Sequence, residues 1–539
     1  MGFNYDYDRH TIGDIPVIGA EIHGDLPALA MLGGESLSYR ELEAFTRRTA
    51  ALLMDRGIRK GDRVAILSEN RPEWGVASLA IARAGAVSVP ILTDFTEEQA
   101  RNILTHSEAK AAFVSERLRR KVAGLPGLSL LPIEALSAPL ADRGLEWDAA
   151  GFEPPRVEPG DLAAIVYTSG TTGLSKGVML SHRNYIADAL SCSVVIVLDE
   201  KDVLLSILPL AHSYEYTIGF LIPLMSGSSI HYLDRPPSAS VLLPALAKLR
   251  PTIMLSVPLV IEKIYRSGVK PGLEKIKLYR FKAFRPLLER AAGRKLMRSM
   301  GGRMRFFGIG GAPLDPETER FLLRARFPYA IGYGLTETAP IIAASAVGTT
   351  RLGAAGPALP GAEIRLASPR PAAEDPSLLV GELEVRGPMV GAGYFRDPGR
   401  TAEAFTADGF FKTGDLGYRD AEGRFHLRGR SKALILGPSG ENIYPEEIEA
   451  VINSSPFVLE SLVYGDAQGL TALVCLKPEA LVEQAGQAIA QLLERVRKEA
   501  NERLAAFSRI QAVRVQPEPF EKTPTQKIKR FLYPRRESS

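Results

Sequence analysis

Apolar positions in residues 38–115 alternate between two periods. Leu42, Phe45, Ala50 and Leu53 recur at helical spacing up to Gly57, and residues 64–67 form an apolar run of strand length. Residues 74–84 read as a second helix, 86–91 as a second strand and 97–105 as a third helix. Helix and strand taking turns in this way predict a parallel α/β sheet. Further on, apolar runs at 162–167 and 178–180 flank a loop of glycines and hydroxyls that joins two strands, and Ser181 is placed to N-cap the next helix. An apolar helix is expected over 217–225, and a strand ends at the pair Gly310-Gly311.

From residue 381 the pattern turns to short strands between Gly, Pro and Asp turns, as in a small β-barrel or distorted sheet. A self-contained α+β unit follows. It comprises a strand at 433–436, a turn at 437–442, and a helix opening on Pro445 with Glu446 and Glu447 in its first turn. Strands at 461–464 and 471–476, a helix from about 481 to 504 and a strand at 510–515 complete it. The expected fold class is therefore α/β plus α+β. A large N-terminal domain (1–431) of parallel α/β subdomains with a small β-barrel precedes a small, mobile C-terminal α+β domain (432–539), with Lys432 as the hinge.

Composition narrows the function classes. Of 539 residues 45% are apolar and 24% charged, as in ordinary globular proteins, and a net charge of +4 gives no reason to expect nucleic acid. The longest apolar stretch, 203–230, is broken by Pro209, His212, Glu215 and Pro223, so it is not a membrane span. The acidic start of the chain lacks the apolar core of a signal peptide. Only Cys192 and Cys475 occur, which excludes a disulfide framework and points to the cytoplasm. Charge is uneven, however: residues 266–305 carry thirteen Lys and Arg against two acids, a net +11. Leu278, Phe281, Phe284, Leu287, Leu288, Leu296 and Met297 run through this segment at roughly helical spacing, and Pro286 is expected to kink or split it. A solvated basic face, a peripheral contact with an anionic membrane at the inner face, and a surface that steers CoA phosphates or an acyl carrier protein all fit this composition.

The loop between the two strands carries the candidate chemistry. Thr168, Ser169, Gly170, Thr171, Thr172, Gly173 and Lys176 combine small residues, hydroxyl donors and one cation, the ingredients of a polyphosphate cradle. It is not a Walker A loop, because Ser175 precedes the lysine and Gly177 follows it.

This stretch closely resembles the phosphate-binding signature of the adenylate-forming (acyl-activating) superfamily. Five further motifs in the same order, over about 38–535, resemble it too. Ser175 and Gln526 stand where that family most often has Pro and Gly. The resemblance implies roles for individual residues. His212 lies between ATP and the carboxylate substrate. Gly311, Ala312 and Pro313, with Gly332, Tyr333 and Gly334, form the adenine site, Tyr333 packing on the base. Thr336 meets the α-phosphate. Glu337, with Thr168, holds Mg²⁺. Asp415 accepts the ribose hydroxyls, Arg430 donates near the ribose or phosphate, and Lys527 is the terminal catalytic lysine beside Lys176. The stretches at 256–265 and 437–447 look like the long-chain fatty acid–CoA ligase branch. The implied activity joins a fatty acid, ATP and CoA into acyl-CoA, AMP and pyrophosphate through acyl-AMP. An adenylating enzyme that loads an acyl carrier protein, and a non-catalytic lipid- or nucleotide-binding member, are the alternatives. Intact Lys176, Glu337, Asp415 and Lys527 speak against the last.

Overall fold

The computed structural model describes residues 4–136, 152–168, 176–372, 375–436, 442–466, 469–478, 487–523 and 528–533. They fall into two compact units, one taking in Met1–Thr168, Ser175–Glu363 and Val385–Phe411, the other Ile364–Glu384 and Lys412–Ser539.

The first unit holds two sheets. One runs, in spatial order, Gly393–Tyr394, Lys176–Ser181, Leu162–Thr168, Val87–Pro90, Arg63–Leu67, Ala111–Val114 and Ser129–Pro132. The other runs Ile341–Ser345, Tyr329–Gly334, Phe306–Ile309, Ile253–Ser256, Val203–Ser206, Ser229–Tyr232, Pro27–Met31 and Ser36–Ser38. The middle strands of both pair in parallel, as the alternation of elements predicted. Helix Pro72–Arg83 is buried at every position from Pro72 to Ala82. A helix apolar on all sides needs cover on all sides. It packs on Pro27–Met31 of one sheet and on Arg63–Leu67 and Val87–Pro90 of the other. Trp74, on its first turn, meets Tyr216 and Phe220 edge-on at ring separations of 5.8 and 6.3 Å. Helix Tyr39–Asp55 opens on a capping box in which Ser38 Oγ accepts from Glu41 N–H and the Glu41 carboxylate accepts from Ser38 N–H.

Strands Leu162–Thr168 and Lys176–Ser181 pair antiparallel, with Thr168 opposite Lys176, and Ser181 caps helix His182–Cys192 by accepting from Asn184 N–H. The apolar helix departs from expectation, since it is a π-helix over Glu215–Leu221 and α-helical only over Ile222–Met225. A Cβ at Gly219 would lie 2.8 Å from the Glu215 carboxyl carbon, so the missing side chain makes room for that carboxyl in the widened turn. The basic segment also differs from one kinked helix. It is a short helix Lys270–Glu274, a 3₁₀ turn Lys277–Arg280 and a helix Arg285–Ser299 in which Pro286 sits in the first turn. There its missing N–H leaves no bond unmade, so the proline starts the helix rather than bending it.

In the second unit, strands Arg424–Arg430, Phe411–Arg419, Leu379–Arg386 and Glu363–Pro371 neighbour one another in that order. After a 3₁₀ turn at Ser431–Ala433 the strand of the C-terminal part is only Ile435–Leu436, shorter than expected. Helix Pro445–Asn453 has the predicted proline start. Strands Val458–Asp466 and Gly469–Leu476 pair antiparallel, and Ala512–Val515 adds in parallel. Ile448, Ile452, Val463, Val474, Leu492 and Val496 form their core. The last long helix is described over Gln487–Asn501 and stops before Leu504. The Asn501 side chain takes both backbone groups of Ile510, accepting from its N–H at 2.8 Å and donating to its carbonyl at 2.9 Å, which turns the chain there.

Candidate active site

Parallel strands carry their functional loops at their C-terminal ends. Here Asn70 follows Arg63–Leu67, His212 follows Val203–Ser206, Gly311 to Pro313 follow Phe306–Ile309, and Thr336 and Glu337 follow Tyr329–Gly334.

The last of these loops meets two other segments of the first unit at one charged cluster. Lys176, first in its strand, points its Nζ at Glu337 Oε1 (2.6 Å) and at the Tyr394 hydroxyl (2.9 Å). That hydroxyl donates to the same Glu337 oxygen at 2.9 Å, and the ammonium lies 4.5 Å from the centre of the Tyr394 ring. Glu337 is in the 3₁₀ turn Thr336–Thr338, whose return path depends on Gly334. A Cβ there would lie 1.7 Å from Pro340 O. Gly391 N–H ties Glu337 O to the next segment at 2.8 Å, and Tyr394 pairs with Val178 two residues beyond Lys176. Burial alone would push the Glu337 carboxyl up. The Lys176 ammonium and the hydrogen bonds from Lys176 and Tyr394 outweigh it and hold the acid below the ordinary carboxylate range. Burial and the Glu337 charge push the Tyr394 phenol well up, so it stays a donor at any working pH.

These groups suit Mg²⁺. Thr168 Oγ1, opposite Lys176 in the hairpin, is buried and makes no hydrogen bond among the described residues. A hydroxyl and a carboxylate are the hard oxygen donors Mg²⁺ takes, one or two at a time beside phosphate oxygens. Among the described residues no group of three or more His, Cys, Asp or Glu side chains is placed to hold a metal ion.

His212 is half-buried at the mouth of the π-helix, and its Nδ1 accepts from Tyr214 N–H at 3.2 Å. In the neutral ring that leaves the proton on Nε2, a donor for an anion. A narrow apolar cleft lies between Tyr214 and Ile218 of the helix region and Phe306, Gly308, Gly332 and Ile341 of the sheet. The loop Gly311-Ala312-Pro313 is exposed, Tyr333 is buried, and Gly332, Gly334 and Thr336 are half-buried. In the second unit Asp415 and Arg430 face each other across a hairpin, Nε to Oδ1 at 2.9 Å. Lys432 is exposed in the turn Ser431–Ala433. Ser169, Gly170, Thr171, Thr172, Gly173 and Lys527 lie outside the described residues.

The sequence reading missed Tyr394. Its one local signal is the run Gly391-Ala392-Gly393-Tyr394-Phe395, and nothing in that spacing ties it to Lys176.

Residues 19–395 match the AMP-binding enzyme family and residues 433–533 match the AMP-binding enzyme C-terminal domain. The chain belongs to the AMP-binding enzyme family. The resemblance drawn from its motifs is thereby borne out. Among curated relatives, the long-chain-fatty-acid–CoA ligase FadD15 of Mycobacterium bovis is 32% identical over 90% of this chain and 88% of its own. The peroxisomal long chain acyl-CoA synthetase 7 of Arabidopsis thaliana is 30% identical over 98% and 83%. Among solved structures, ATP-bound MatB from Rhodopseudomonas palustris superposes with a TM-score of 0.77 at 28% identity, covering 96% of this chain and 98% of that one. O-succinylbenzoate coenzyme A synthetase (MenE) from Bacillus subtilis, in complex with ATP and magnesium ion, does so with 0.75 at 25% identity over 96% and 98%.

Proposed function

We propose that this family member is an ATP-dependent fatty acid–CoA ligase. A fatty carboxylate oxygen attacks the α-phosphorus of ATP, forming acyl-AMP as the bond to pyrophosphate breaks. The CoA sulfur then attacks the acyl carbonyl, loses its proton and expels AMP. One observation carries the reading: Glu337, bonded to Lys176 and Tyr394, lies in the turn that follows strand Tyr329–Gly334, and Gly332 of that same strand lines the apolar cleft. A phosphate-handling cluster beside an apolar cleft is the pairing that a fatty carboxylate and ATP call for.

In this reading Lys176 meets the negative charge that grows on the leaving pyrophosphate, together with Thr168, Ser169, Gly170, Thr171, Thr172 and Gly173. His212 donates from Nε2 to the carboxylate. Gly311, Ala312, Pro313, Gly332, Tyr333 and Gly334 receive adenine, Thr336 the α-phosphate, Asp415 with Arg430 the ribose, and Lys527 serves adenylation. Mg²⁺, held by Glu337 and Thr168, would neutralise phosphate charge, and MenE with ATP and magnesium is a relative that supports this. Catalysis is then chiefly positional and electrostatic. Short- to long-chain carboxylates assayed for AMP and pyrophosphate release, with and without CoA, test the proposal. Release that depends on medium or long chains and rises with CoA is expected. No carboxylate-dependent release refutes it, and stimulation by acyl carrier protein in place of CoA selects the carrier-protein alternative.

A second reading concerns place. Ile276, Leu278, Phe281, Phe284 and Leu287 are 38, 49, 61, 45 and 64% exposed, and exposed Lys275, Lys277, Arg280 and Lys282 lie among them. Other cations of the segment are paired within the fold: Arg266 with Asp315 at 3.2 Å, Lys270 with Glu317 at 2.7 Å, and Arg305 with Asp202. An apolar patch with a basic rim suits the surface of an anionic membrane, the source of a fatty substrate. No described helix is long and apolar enough to cross one. The proposed setting is the cytoplasm, in peripheral contact with the inner membrane face. Replacing Lys275, Lys277, Arg280 and Lys282 with Gln removes four cations worth about 1 kcal/mol each near an anionic leaflet. Sedimentation with anionic liposomes at low salt should fall sharply, and equal sedimentation of the native chain with anionic and neutral liposomes refutes the contact. A raised KM for CoA in that variant, with liposome binding intact, assigns the basic rim to CoA instead.

A further inference from the structure

His212 lies at the end of a loop held by a residue from the other sheet. Asn70 precedes helix Pro72–Arg83, beyond strand Arg63–Leu67, yet its amide is spent on the segment that leads to His212. Nδ2 donates to Leu208 O at 2.6 Å and to Ser206 Oγ at 3.2 Å, and Oδ1 accepts from Leu210 N–H at 2.9 Å. Ser206 Oγ in turn donates to Glu215 Oε1 at 2.5 Å. Glu215 is fully buried, and its Oε2 makes no hydrogen bond among the described residues. Residues 206, 208 and 210 are thus tied to Asn70, and residue 215 is tied to them through Ser206. His212 sits between these two anchors. Its N–H donates to Pro209 O at 2.9 Å, its carbonyl accepts from Tyr216 N–H at 3.0 Å, and its ring accepts from Tyr214 N–H.

The amide chemistry is specific. Asn70 must donate to a carbonyl and accept from an N–H, which no carboxylate or hydroxyl can do with the same reach. We propose that Asn70 is a positioning residue for His212, with Ser206 and Glu215 as the second half of the clamp. This rests on the role given to His212 above. Asn70 touches neither the cleft nor the Lys176 cluster, so its effect passes through the loop. Burial pushes the Glu215 carboxyl up to about 8, so at neutral pH it serves as a neutral hydrogen-bonding group.

The test is a double-mutant cycle on Asn70→Ala and His212→Ala, read as the steady-state rate of pyrophosphate release with fatty acid and no CoA. A ring displaced by about 1 Å costs on the order of 100-fold. Asn70→Ala should therefore lose roughly 10- to 100-fold in kcat, with KM for ATP and fatty acid within about twofold. The double variant should be no slower than His212→Ala. Losses that multiply in the double variant, or a native rate in Asn70→Ala, overturn the proposal. If His212→Ala alone keeps the native rate, the reading of His212 fails, a result visible without any change at Asn70, and the positioning role falls with it. Asn70→Asp, close in shape but without the donor, replaces Asn70→Ala in the cycle if the latter does not fold. Glu215→Gln keeps an acceptor for Ser206 and should restore most of the rate lost in Glu215→Ala. Equal loss in both removes Ser206 and Glu215 from the clamp.

Discussion

Replacing Tyr394 with Phe deletes one oxygen from the charged cluster and leaves the rest of the packing in place. The ring still lies under the Lys176 ammonium, so the cation–π contact at 4.5 Å survives, as does the direct Lys176–Glu337 bond of 2.6 Å. What is lost is the hydroxyl's donation to Glu337 Oε1 at 2.9 Å and its acceptance from Lys176 at the same distance. Hydrogen bonds to charged groups contribute about 1.5–3 kcal/mol each. Lys176 keeps its carboxylate and can turn a spare proton to a phosphate oxygen, so the bond that counts is the one to buried Glu337. A loss of about 1.5–3 kcal/mol from the geometry of that carboxylate corresponds to roughly a 10- to 150-fold slower adenylation.

The pH profile gives a second readout. The hydroxyl is among the groups that hold the Glu337 carboxyl down, so removing it lets the acid rise. The acid limb of the rate profile should therefore move to higher pH in Tyr394→Phe. Pyrophosphate release without CoA, followed from mildly acidic to neutral pH, measures both effects, with Glu337→Gln as the reference for a carboxylate removed altogether. If Tyr394→Phe keeps the native rate and acid limb while Glu337→Gln is slow, the hydroxyl has no part in the site. A lower Tm at unchanged rate would make it a structural bond only.

Lys527→Ala should abolish adenylation while sparing thioester formation from supplied acyl-AMP, and equal loss in both half-reactions refutes its assigned role. Lys432→Pro fixes φ near about −65° at the proposed hinge and should impair one half-reaction more than the other. Native rates in both place the hinge elsewhere. Buried His182, whose Nδ1 accepts from Ile12 N–H at 3.3 Å, has its imidazole lowered to about 4 by burial. The unfolded chain therefore binds the proton first, and the stability this residue contributes is complete above roughly pH 6.5 and lost as pH falls toward 4, in all about 3 kcal/mol. Urea midpoints should drop over that window less steeply in His182→Gln, and equal slopes refute the assignment.

What the chain reveals of itself before folding depends on how local the cause is. Strand Arg63–Leu67, helix Pro72–Arg83 and the proline start of Pro445–Asn453 follow from residues inside or beside each element, and they were readable. The Ser181 cap was readable for the same reason. The π-helical turn was not, because its cause is a buried carboxyl set against Gly219, a pairing that looks like any apolar helix in one dimension. The basic segment shows the same limit. Its periodicity treated Leu288 and Leu296, which pack into the core, as equivalent to Phe281 and Leu287, which do not. Lys176 and Glu337 could be named separately from motif resemblance, but Tyr394 becomes part of their site only through a two-residue strand pairing with Lys176–Ser181. Asn70 joins the segment before His212 by side-chain bonds between two sheets. Residues that touch the reacting atoms carry chemistry that can be recognised by type. Residues that aim them are defined by contacts that exist only after both sheets have formed, and in this protein Tyr394 and Asn70 belong to that second kind.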